Sequence, residues 1–306
     1  MISVVIPVRD GGAELRRCLE AIRRQQVGEE VEVVVIDSGS GDGSPELAEQ
    51  LGARVHTIPA EKFGHGATRN LGAGLARGDT LVFTTQDAVA ASERWLDRLT
   101  APLRGDPALA GVYGRQLPHP HASPPERYFL DFLYGPAPRR QRARQRAELS
   151  LRTTLFSNVN AAVRRSVWED FRFAHDIIMS EDQEWAVRVL LAGWELAYEP
   201  AAAVSHSHAY TLASAFRRFF DSGVSAEEAY LAGGRSAGGV LARTALDYGF
   251  GELRWLWCTG QRRWIPYAAA YELAKLAGLQ LGARHRRLPR WIKLRLTGLP
   301  GHWRAL

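Results

Sequence analysis

The chain has 306 residues, of which 46% are hydrophobic and 24% are charged, and its formal net charge is +6. These values are ordinary for a globular protein and exclude a disordered or fibrous chain. The two cysteines, Cys18 and Cys258, are too few for a disulfide framework or a four-cysteine zinc site. They fit a reducing compartment, so we expect a cytoplasmic protein.

The positive charge is concentrated near the C-terminus. From residue 251 onward there are 11 Lys and Arg against 2 Asp and Glu, which leaves 28 against 31 for residues 1–250. Five of the nine tryptophans lie in the same part of the chain. We expect neither a secretory signal nor a membrane-spanning helix, because the best candidate, residues 264–283, is interrupted by Glu272 and Lys275. Residues 211–306 are predicted to form a helical, basic, Trp- and Arg-rich region.

Strand-like and helix-like segments alternate from the start of the chain. The strand-like runs are ISVVIP (2–7), VEVVVID (31–37), RVHTI (54–58) and TLVFTT (80–85). The first helix-like segment places Leu15, Cys18, Leu19 and Ile22 at the spacing of one apolar helix face. Apolar strands separated by helices predict an α/β fold, with a mostly parallel, Rossmann-like sheet covered by helices on both faces.

Two acids stand where strands of this sheet should end. Asp37 closes the second run and Asp87 follows the fourth. Ligands of such sheets bind beyond the carboxyl ends of the strands, so both carboxylates are predicted to line one crevice. The alternative is that each Asp only ends a strand and starts a turn. A dinucleotide is disfavoured, because GSGDGS (39–44) has Ser44 where the fingerprint requires a third glycine.

Four motifs in order resemble those of family 2 inverting glycosyltransferases of the GT-A fold. They are SVVIPVRDGG, VVVIDSGSGDGS, GHGATRNLGAGLARGDTLVFTTQDA and SEDQEWAVRVLLAGW. The stretches FGHGATRN, TQDA and FSNVNAAVRRSVWED are most similar to bacterial rhamnosyltransferases of cell-surface polysaccharides. The resemblance implies a GT-A catalytic domain over residues 1–210 and a nucleotide-diphosphate sugar as the donor.

The resemblance also implies residues for the nucleotide. Pro7, Val8 and Arg9 would border the base, and Asp37 would accept hydrogen bonds from the base or the ribose. Asp42 would support this pocket, or else would serve as a turn or cap residue before a helix that starts at Ser44.

A divalent cation, Mg²⁺ or Mn²⁺, is implied at the end of the fourth strand. The family's D-x-D motif is here Thr85, Gln86 and Asp87, so only one carboxylate remains to bind the ion. Thr85 and Gln86 would contact sugar or ion as neutral groups. His206 and His208 alternate along an extended segment and would complete the metal site, unless they pack within a loop.

Other charged and polar residues have two interpretations. Arg69 would bind the diphosphate or would be a solvated arginine, and His119 and His121, in a Pro-rich loop, favour a structural role. Asn158 and Asn160 would bind acceptor hydroxyls or would serve in turns and at a sheet edge.

The acidic motif supplies the expected catalytic base. Ser180 and Gln183 have the spacing of a capping box, which places Glu181 and Asp182 in a first helical turn. There acids stabilise the helix dipole and need no other role. By resemblance, Asp182 is the base that takes the proton of the acceptor hydroxyl, and Glu181 contacts the acceptor. The helix position should lower the pKa of Asp182, and burial beside the donor must offset this.

The expected function is therefore inverting transfer of a sugar, L-rhamnose from dTDP-rhamnose, to a lipid-linked or polysaccharide acceptor. A UDP- or GDP-sugar donor is an alternative. The second alternative is a non-catalytic GT-A scaffold that binds membrane or nucleic acid through the basic tail. No nucleic-acid motif is present, so we expect peripheral contact with the inner face of a membrane. The arginine run RRQRARQR (139–146) is interpreted as a solvated helix face or mobile loop, or else as a lid over the donor or a group that binds an acceptor phosphate.

Overall fold

The strand–helix alternation of the sequence is found in the computed structural model, which describes residues 1–227 and 237–305, with side chains for 1–227 and 247–304. These residues form two units. The first contains residues 1–119, 134–175 and 181–206. The second contains residues 120–133 and 176–180 and the described part of the chain from 207 onward. The sequence-based boundary at residue 210 stays a prediction, and two short insertions from the N-terminal part join the second unit.

The first unit is an α/β structure with nine strands in its described residues. Its strands are β1 (Ile2–Val8), β2 (Val31–Asp37), β3 (Arg54–Thr57), β4 (Thr80–Thr84), β5 (Val89–Ala90), β6 (Leu109–Leu117), β7 (Arg139–Gln141), β8 (Asn160–Arg164) and β9 (Glu195–Ser205). Its helices are α1 (Gly12–Arg23), α2 (Ser44–Gln50), α3 (His65–Leu75), α4 (Trp95–Gly105), α6 (Arg165–Asp170) and α7 (Glu181–Leu191).

The nine strands form one sheet in the order β3-β2-β1-β4-β8-β6-β9-β5, with β7 paired to β9. The four N-terminal strands are all parallel, as predicted. Beyond β4 the sheet becomes mixed, because β8 runs antiparallel to both β4 and β6 while β6 and β9 are parallel. The carboxyl ends of β1, β2 and β4 therefore meet at one edge, where Asp37 and Asp87 were expected.

Burial explains the apolar character of the central strands. Val4, Ile6, Val35 and Val82 are inaccessible to solvent and pack with Leu15 and Leu19 of α1 in one hydrophobic core. Each fully buried aliphatic side chain contributes about 1.5–3 kcal/mol to folding. The sheet is thus a rigid base for the loops at its carboxyl edge.

The arginine run at 139–146 begins as a strand, so the prediction of a helix face is wrong for residues 139–141, while a role as a lid or in binding an acceptor phosphate stays a prediction. Arg139 to Gln141 pair antiparallel with β9. Arg140 forms ion pairs with Glu195 and, at 2.6 Å, with Asp106. Arg142 also pairs with Glu195, at 2.9 Å. The arginines therefore neutralise acids of the first unit at the edge of its sheet.

The second unit is helical, as the sequence predicts. Its helices are α5 (Pro124–Leu133), α8 (Leu212–Ser225), α9 (Ala237–Cys258), α10 (Ile265–Gly282), α11 (Arg290–Leu296) and α12 (Pro300–Ala305). Helices α8 and α10 cross closely at Gly282, where an added Cβ would lie 2.0 Å from the Phe220 carbonyl oxygen. Only glycine permits this approach of the two backbones.

Helix α10 contains the segment that the sequence presented as the best membrane-span candidate. Its Lys275 is buried, donates a hydrogen bond to Glu272 at 2.7 Å and lies 4.5 Å from the centre of the Tyr248 ring. The lysine is thus held by a carboxylate and an aromatic face within the helical unit. Among the residues that the structure describes, no helix is long and apolar enough to cross a bilayer.

Candidate active site

The first two loops at the carboxyl edge are tied to each other. Asp10 donates its backbone N–H to the Ser40 hydroxyl at 2.8 Å, and Gly41 N–H donates to Asp10 Oδ1 at 2.9 Å. Asp37 is buried; its Oδ2 accepts from the backbone N–H groups of Gly39 and Ser40 at 3.0 and 3.1 Å. Asp37 thus shapes the loop that follows β2, and this loop stands next to the one that follows β1.

Asp42 forms the turn that leads into α2, as one of its two interpretations predicts, and its support of a nucleotide pocket stays a prediction. Its Oδ1 accepts from the Ser44 hydroxyl at 2.6 Å and from the Ser44 N–H at 3.1 Å. These bonds hold the pKa of Asp42 below its usual range. The Ser44 hydroxyl in turn accepts from Gly11 N–H at 2.9 Å, so Asp42 stabilises the same pair of loops.

The residues expected to border the base of the nucleotide lie at the end of β1. Pro7 is half-buried, Val8 is buried and Arg9 is exposed. The side-chain amide of Gln86 makes two bonds to the backbone of Arg9, with its Oε1 accepting at 2.8 Å and its Nε2 donating at 3.0 Å. Gln86 therefore fastens the β4 end to the β1 end. By contrast, the Thr85 hydroxyl is buried and has no hydrogen-bond partner among the described residues.

Asp87 and His206 face each other because β5 pairs antiparallel with the end of β9. Val89 lies opposite Ser205 in that pairing, and His206 Nε2 is 3.5 Å from Asp87 Oδ2. On the other side of the ring, His206 Nδ1 lies 2.9 Å from Gln116 Oε1. An amide oxygen can only accept, so Nδ1 carries a proton and Nε2 is the ring nitrogen that faces Asp87.

This pair has the chemistry of a metal site. Asp87 and His206 offer ligand atoms within 4.8 Å of each other, and a second hydrogen bond that fixes the histidine tautomer is typical of metal-binding histidines. His208 is exposed and belongs to the second unit. His119 has the structural role expected for it, since its Nδ1 lies 3.0 Å from the Ser205 hydroxyl.

A buried ion pair underlies the acidic motif. Arg69 and Glu181 are both buried, and Arg69 Nη1 donates to Glu181 Oε1 at 2.7 Å. The same oxygen accepts from Asn158 Nδ2 at 3.1 Å. Burial alone would raise the pKa of Glu181, but the charges of Arg69 and His65 lower it. The cation of Arg69 therefore balances the charge of Glu181, and a contact of Arg69 with the diphosphate stays a prediction.

Asp182 lies beside this pair on α7. Its Oδ2 accepts from Asn158 N–H at 3.0 Å and its Oδ1 from Gln183 N–H at 2.8 Å. Burial and then the negative charge of Glu181 raise the pKa of Asp182 to about 7. The offset by burial that the sequence analysis required is therefore present, and the charge of Glu181 adds to it. A carboxylate with this pKa is a stronger proton acceptor than an ordinary aspartate.

The capping-box prediction for this helix also fails. Ser180 has a φ of +62°, whereas an N-cap residue is normally extended. Gln183 N–H is bonded to Asp182 Oδ1 rather than to a serine hydroxyl.

The two asparagines have different surroundings. Asn158 donates hydrogen bonds to both Glu181 and Asp182. Its Oδ1 is buried without a hydrogen-bond partner among the described residues. Asn160 accepts from Trp95 Nε1 at 2.8 Å and donates to the carbonyl oxygens of Ala202 and Arg115 at 2.8 and 3.2 Å. Since Asn160 is fully buried with its amide in use, it has a structural role in place of the expected acceptor contact.

The GHGATRN segment positions the acidic motif through close packing. A Cβ at Gly66 would lie 1.8 Å from the Ala174 carbonyl oxygen, so only glycine allows α3 to approach the segment between α6 and α7 this closely. Asn70 donates to the Phe173 carbonyl oxygen at 2.8 Å and accepts from Phe173 N–H at 3.1 Å. The motif thus holds the chain on the N-terminal side of Asp182 from two points.

Gln116 links the histidine to the acids, and sequence reasoning missed it. Besides its bond to His206, its Nε2 donates to the Ser157 hydroxyl at 3.1 Å and to the Tyr134 hydroxyl at 2.8 Å. Ser157 precedes Asn158, whose N–H binds Asp182. A continuous path of bonds therefore joins His206 to Asp182. A glutamine at an inward position of an apolar strand was the one signal that could have revealed it.

The sequence profile described as Glycosyl transferase family 2 matches residues 3–172. The chain belongs to this glycosyltransferase family. It is 34% identical to the O-antigen chain rhamnosyltransferase RfbN of Salmonella typhimurium over 292 residues. The matched segment covers 94% of this chain and 91% of the relative. It is 32% identical to the O-antigen chain rhamnosyltransferase WbaN of Salmonella anatum, over 94% of this chain and 90% of that one.

Solved structures support the GT-A fold. The mannosyltransferase PcManGT from Pyrobaculum calidifontis, in complex with GDP-Man and Mn²⁺, superposes with a TM-score of 0.61 at 18% identity, over 91% of this chain and 86% of that chain. TarS of S. aureus in complex with UDP-GlcNAc superposes with a TM-score of 0.55 at 15% identity, over 94% of this chain and 91% of that chain. The predicted family and fold are both confirmed.

The proximity of Glu181 to Asp182 predicts a shifted pH dependence in Glu181→Gln. Removing the neighbouring negative charge makes ionisation of Asp182 easier, so its pKa should fall. If ionised Asp182 is the base, transfer by the unmodified enzyme should rise with pH through about 7. In Glu181→Gln this rise should occur at least about one pH unit lower. The measurement is kcat/KM for sugar transfer against pH.

Glu184→Gln is the matched control for this prediction. It removes a charge from the same helix, but Glu184 is paired with Arg188 at 2.6 Å. Its profile should follow that of the unmodified enzyme. If the pH at which kcat/KM rises is the same in Glu181→Gln as in the unmodified enzyme, the assignment of this rise to Asp182 is contradicted.

Proposed function

We propose that this glycosyltransferase moves L-rhamnose from dTDP-L-rhamnose, with inversion, to a lipid-linked or polysaccharide acceptor at the cytoplasmic face of the membrane. The observation that carries the proposal is the likeness over 94% of the chain to two O-antigen chain rhamnosyltransferases. The donor-bound structures named above add that chains of this fold bind nucleotide sugars.

The proposed reaction is one direct displacement with Asp182 as the base. The oxygen of the acceptor hydroxyl attacks the anomeric carbon while its proton moves to the Asp182 carboxylate. The bond from that carbon to the nucleoside diphosphate breaks on the opposite face, which inverts the configuration. The raised pKa of Asp182 matches this role, because a carboxylate with a pKa of about 7 still ionises near neutral pH and holds a proton well.

The proposed acceptor contacts lie around the same carboxylate. The buried Oδ1 of Asn158 can accept a hydrogen bond from an acceptor hydroxyl next to Asp182. Glu181 acts as a positioning residue here, since its own oxygen is bonded to Arg69 and Asn158.

For the donor, the proposal uses the tied loops at the carboxyl edge. The base of the nucleotide is bordered by Pro7, Val8 and Arg9, and Asp37 lies at the end of the neighbouring strand β2. Gln86 holds Arg9 in place, and the unpartnered Thr85 hydroxyl is available to the sugar.

Asp87 and His206, with His208 two residues further along, would hold a divalent cation. When bound, such an ion stabilises negative charge on the leaving diphosphate. One carboxylate with imidazole nitrogen favours Mn²⁺, since Mg²⁺ prefers oxygen ligands and keeps its waters.

Asp182→Asn tests the reaction. The amide keeps the shape of the carboxylate but cannot accept the proton, so turnover should fall by about 10² to 10⁴ fold. The affinity for dTDP, measured by calorimetry, should not change. NMR of the product should show inversion at the anomeric carbon. Asp170→Asn, at an exposed acid that ends α6, is the control and should keep full turnover. Near-normal transfer by Asp182→Asn would refute the role of the base.

Thr85→Asp tests the metal site by restoring the missing acid of the D-x-D motif. A second carboxylate beside Asp87 should tighten Mn²⁺ binding in the presence of dTDP by about tenfold. Transfer need not become faster, because the Thr85 hydroxyl is proposed to face the sugar. Titration of Mn²⁺ by calorimetry measures the effect, and equal affinities for both forms would remove residue 85 from the ion's surroundings.

The proposed membrane contact uses exposed residues of the second unit. Along α9, Phe250 and Trp257 are 72% and 56% exposed, and Arg254 between them is exposed too. Their spacing of four and three residues places them on one helix face. On α11, Trp291 is 59% exposed and the Arg295 guanidinium lies 5.6 Å from its ring centre. Aromatic and cationic side chains together suit an anionic bilayer interface.

The double variant Arg254→Gln/Trp257→Ala should weaken binding to anionic vesicles. Loss of one arginine near the surface should cost about fivefold in affinity at low salt, and loss of the tryptophan should add a part that salt does not screen. Vesicle sedimentation of the full chain measures both. Arg23→Gln, at an exposed residue of α1, is the control. A protein that ignores anionic vesicles but retains single-stranded nucleic acid would contradict the membrane proposal.

A further inference from the structure

A cavity of about 470 Å³ lies within the second unit, between the start of α5 and the end of α9. Its volume is within the range of about 300–1,000 Å³ found for small-molecule sites. The walls combine two indole rings, Trp255 and Trp264, with three groups that are or can become cationic, namely His121, Arg127 and Arg263. No carboxylate is among the residues that line it.

The aromatic walls are fixed in place by their neighbours. The Trp255 ring packs on Tyr128 with 5.6 Å between ring centres, and the Trp264 ring meets the Tyr267 ring edge-on at 5.8 Å. The Tyr267 hydroxyl donates to the Tyr210 carbonyl oxygen at 3.1 Å. Both indoles are therefore positioned before any ligand arrives, which lowers the entropy lost on binding.

The cationic wall is also built in advance. Arg127 donates from Nε to the Ala122 carbonyl oxygen at 3.0 Å and from Nη2 to the Pro120 carbonyl oxygen at 2.6 Å. These bonds hold the loop before α5 against the helix. The nearby acid Glu126 accepts from Ser123 N–H at 3.3 Å and does not line the cavity.

Neutral polar groups complete the walls, since Ser123 and Gln261 also line the cavity. Arg263 and His121 are exposed, whereas both indoles are partly buried. The cationic groups of the lining are therefore accessible to a ligand that arrives from solvent.

From this arrangement we propose that the cavity binds a glycosyl phosphate, with the sugar ring against the indoles and the phosphate at Arg263 and Arg127. A pyranose offers an apolar C–H face and several hydroxyls, which matches flat aromatic walls and neutral polar groups. A phosphate matches guanidinium groups without a competing acid. The inference rests on the proposed function, because a lipid-linked acceptor joins its first sugar to the carrier through a phosphate.

The probe for this site is glucose 1-phosphate, titrated by calorimetry into the full chain with dTDP present at saturation, so that the donor site is filled. We expect binding that is at least about tenfold tighter than that of methyl glucoside, inorganic phosphate or AMP. Arg263→Gln should weaken glucose 1-phosphate binding by about tenfold, and Trp264→Phe should also weaken it, because the smaller phenyl ring covers less of the sugar's apolar face. Arg287→Gln, at an exposed arginine outside the lining, should leave it unchanged.

The outcomes separate this inference from the proposed function. Equal binding of glucose 1-phosphate by Arg263→Gln, Trp264→Phe and the unmodified chain would overturn the site. Equal or tighter binding of phosphate alone or of AMP would overturn the choice of a sugar. Loss of dTDP binding and of rhamnosyl transfer in the unmodified chain would instead refute the proposed function. A lipid-linked acceptor whose KM rises in Arg263→Gln, with dTDP affinity unchanged, would extend the result from the free sugar phosphate to the membrane-borne acceptor.

Discussion

The buried ion pair of Arg69 and Glu181 is the interaction on which the candidate site depends. Neither charge could stay buried alone, since removing one partner of such a pair costs about 3 to 5 kcal/mol. The pair, at 2.7 Å, fastens α3 to the first turn of α7 and, because it lowers the pKa of Glu181, gives Asp182 a negatively charged neighbour. That neighbour, together with burial, raises the pKa of Asp182 to about 7. One contact therefore fixes both the place and the basicity of the carboxylate proposed to accept the proton.

The second constraint is the change from parallel to mixed strand pairing beyond β4. The four parallel strands bring Asp37 and the β4 end to one edge, but they cannot bring a histidine to Asp87. The antiparallel pairing of β5 with β9 does so, and Gln116 on β6 then fixes the tautomer of His206. Through Ser157, the same glutamine reaches the backbone that binds Asp182. Hydrogen bonds and one peptide bond therefore connect the proposed metal site to the proposed catalytic base within the first unit.

The sequence was sufficient where local pattern decides the structure. Apolar runs separated by helical spacing predicted the four parallel strands, and the structure places Asp37 and Asp87 at the expected edge of the sheet. It was insufficient where a side chain's role depends on a distant partner. Arg69 is separated from Glu181 by 112 residues, and Asn160 meets Trp95, which is 65 residues away. No local signal distinguishes an arginine that binds phosphate from one that neutralises a buried acid. The desolvation that raises the pKa of Asp182 likewise comes from packing, whose extent the sequence does not show.

The charge of the C-terminal region shows the same limit of composition. The count of 11 cations against 2 acids from residue 251 suggests a uniformly basic surface. Yet Lys275 is buried with Glu272, and Arg290 donates to the carbonyl oxygens of Trp303 and Arg304 at 3.0 and 3.1 Å. These two cations stabilise the helical unit itself. The exposed arginines are distributed over different features, with Arg254 beside Trp257 on a helix face and Arg263 at the rim of a cavity. Separate placement of this kind allows one part of the chain to meet a bilayer and another to bind a phosphorylated sugar.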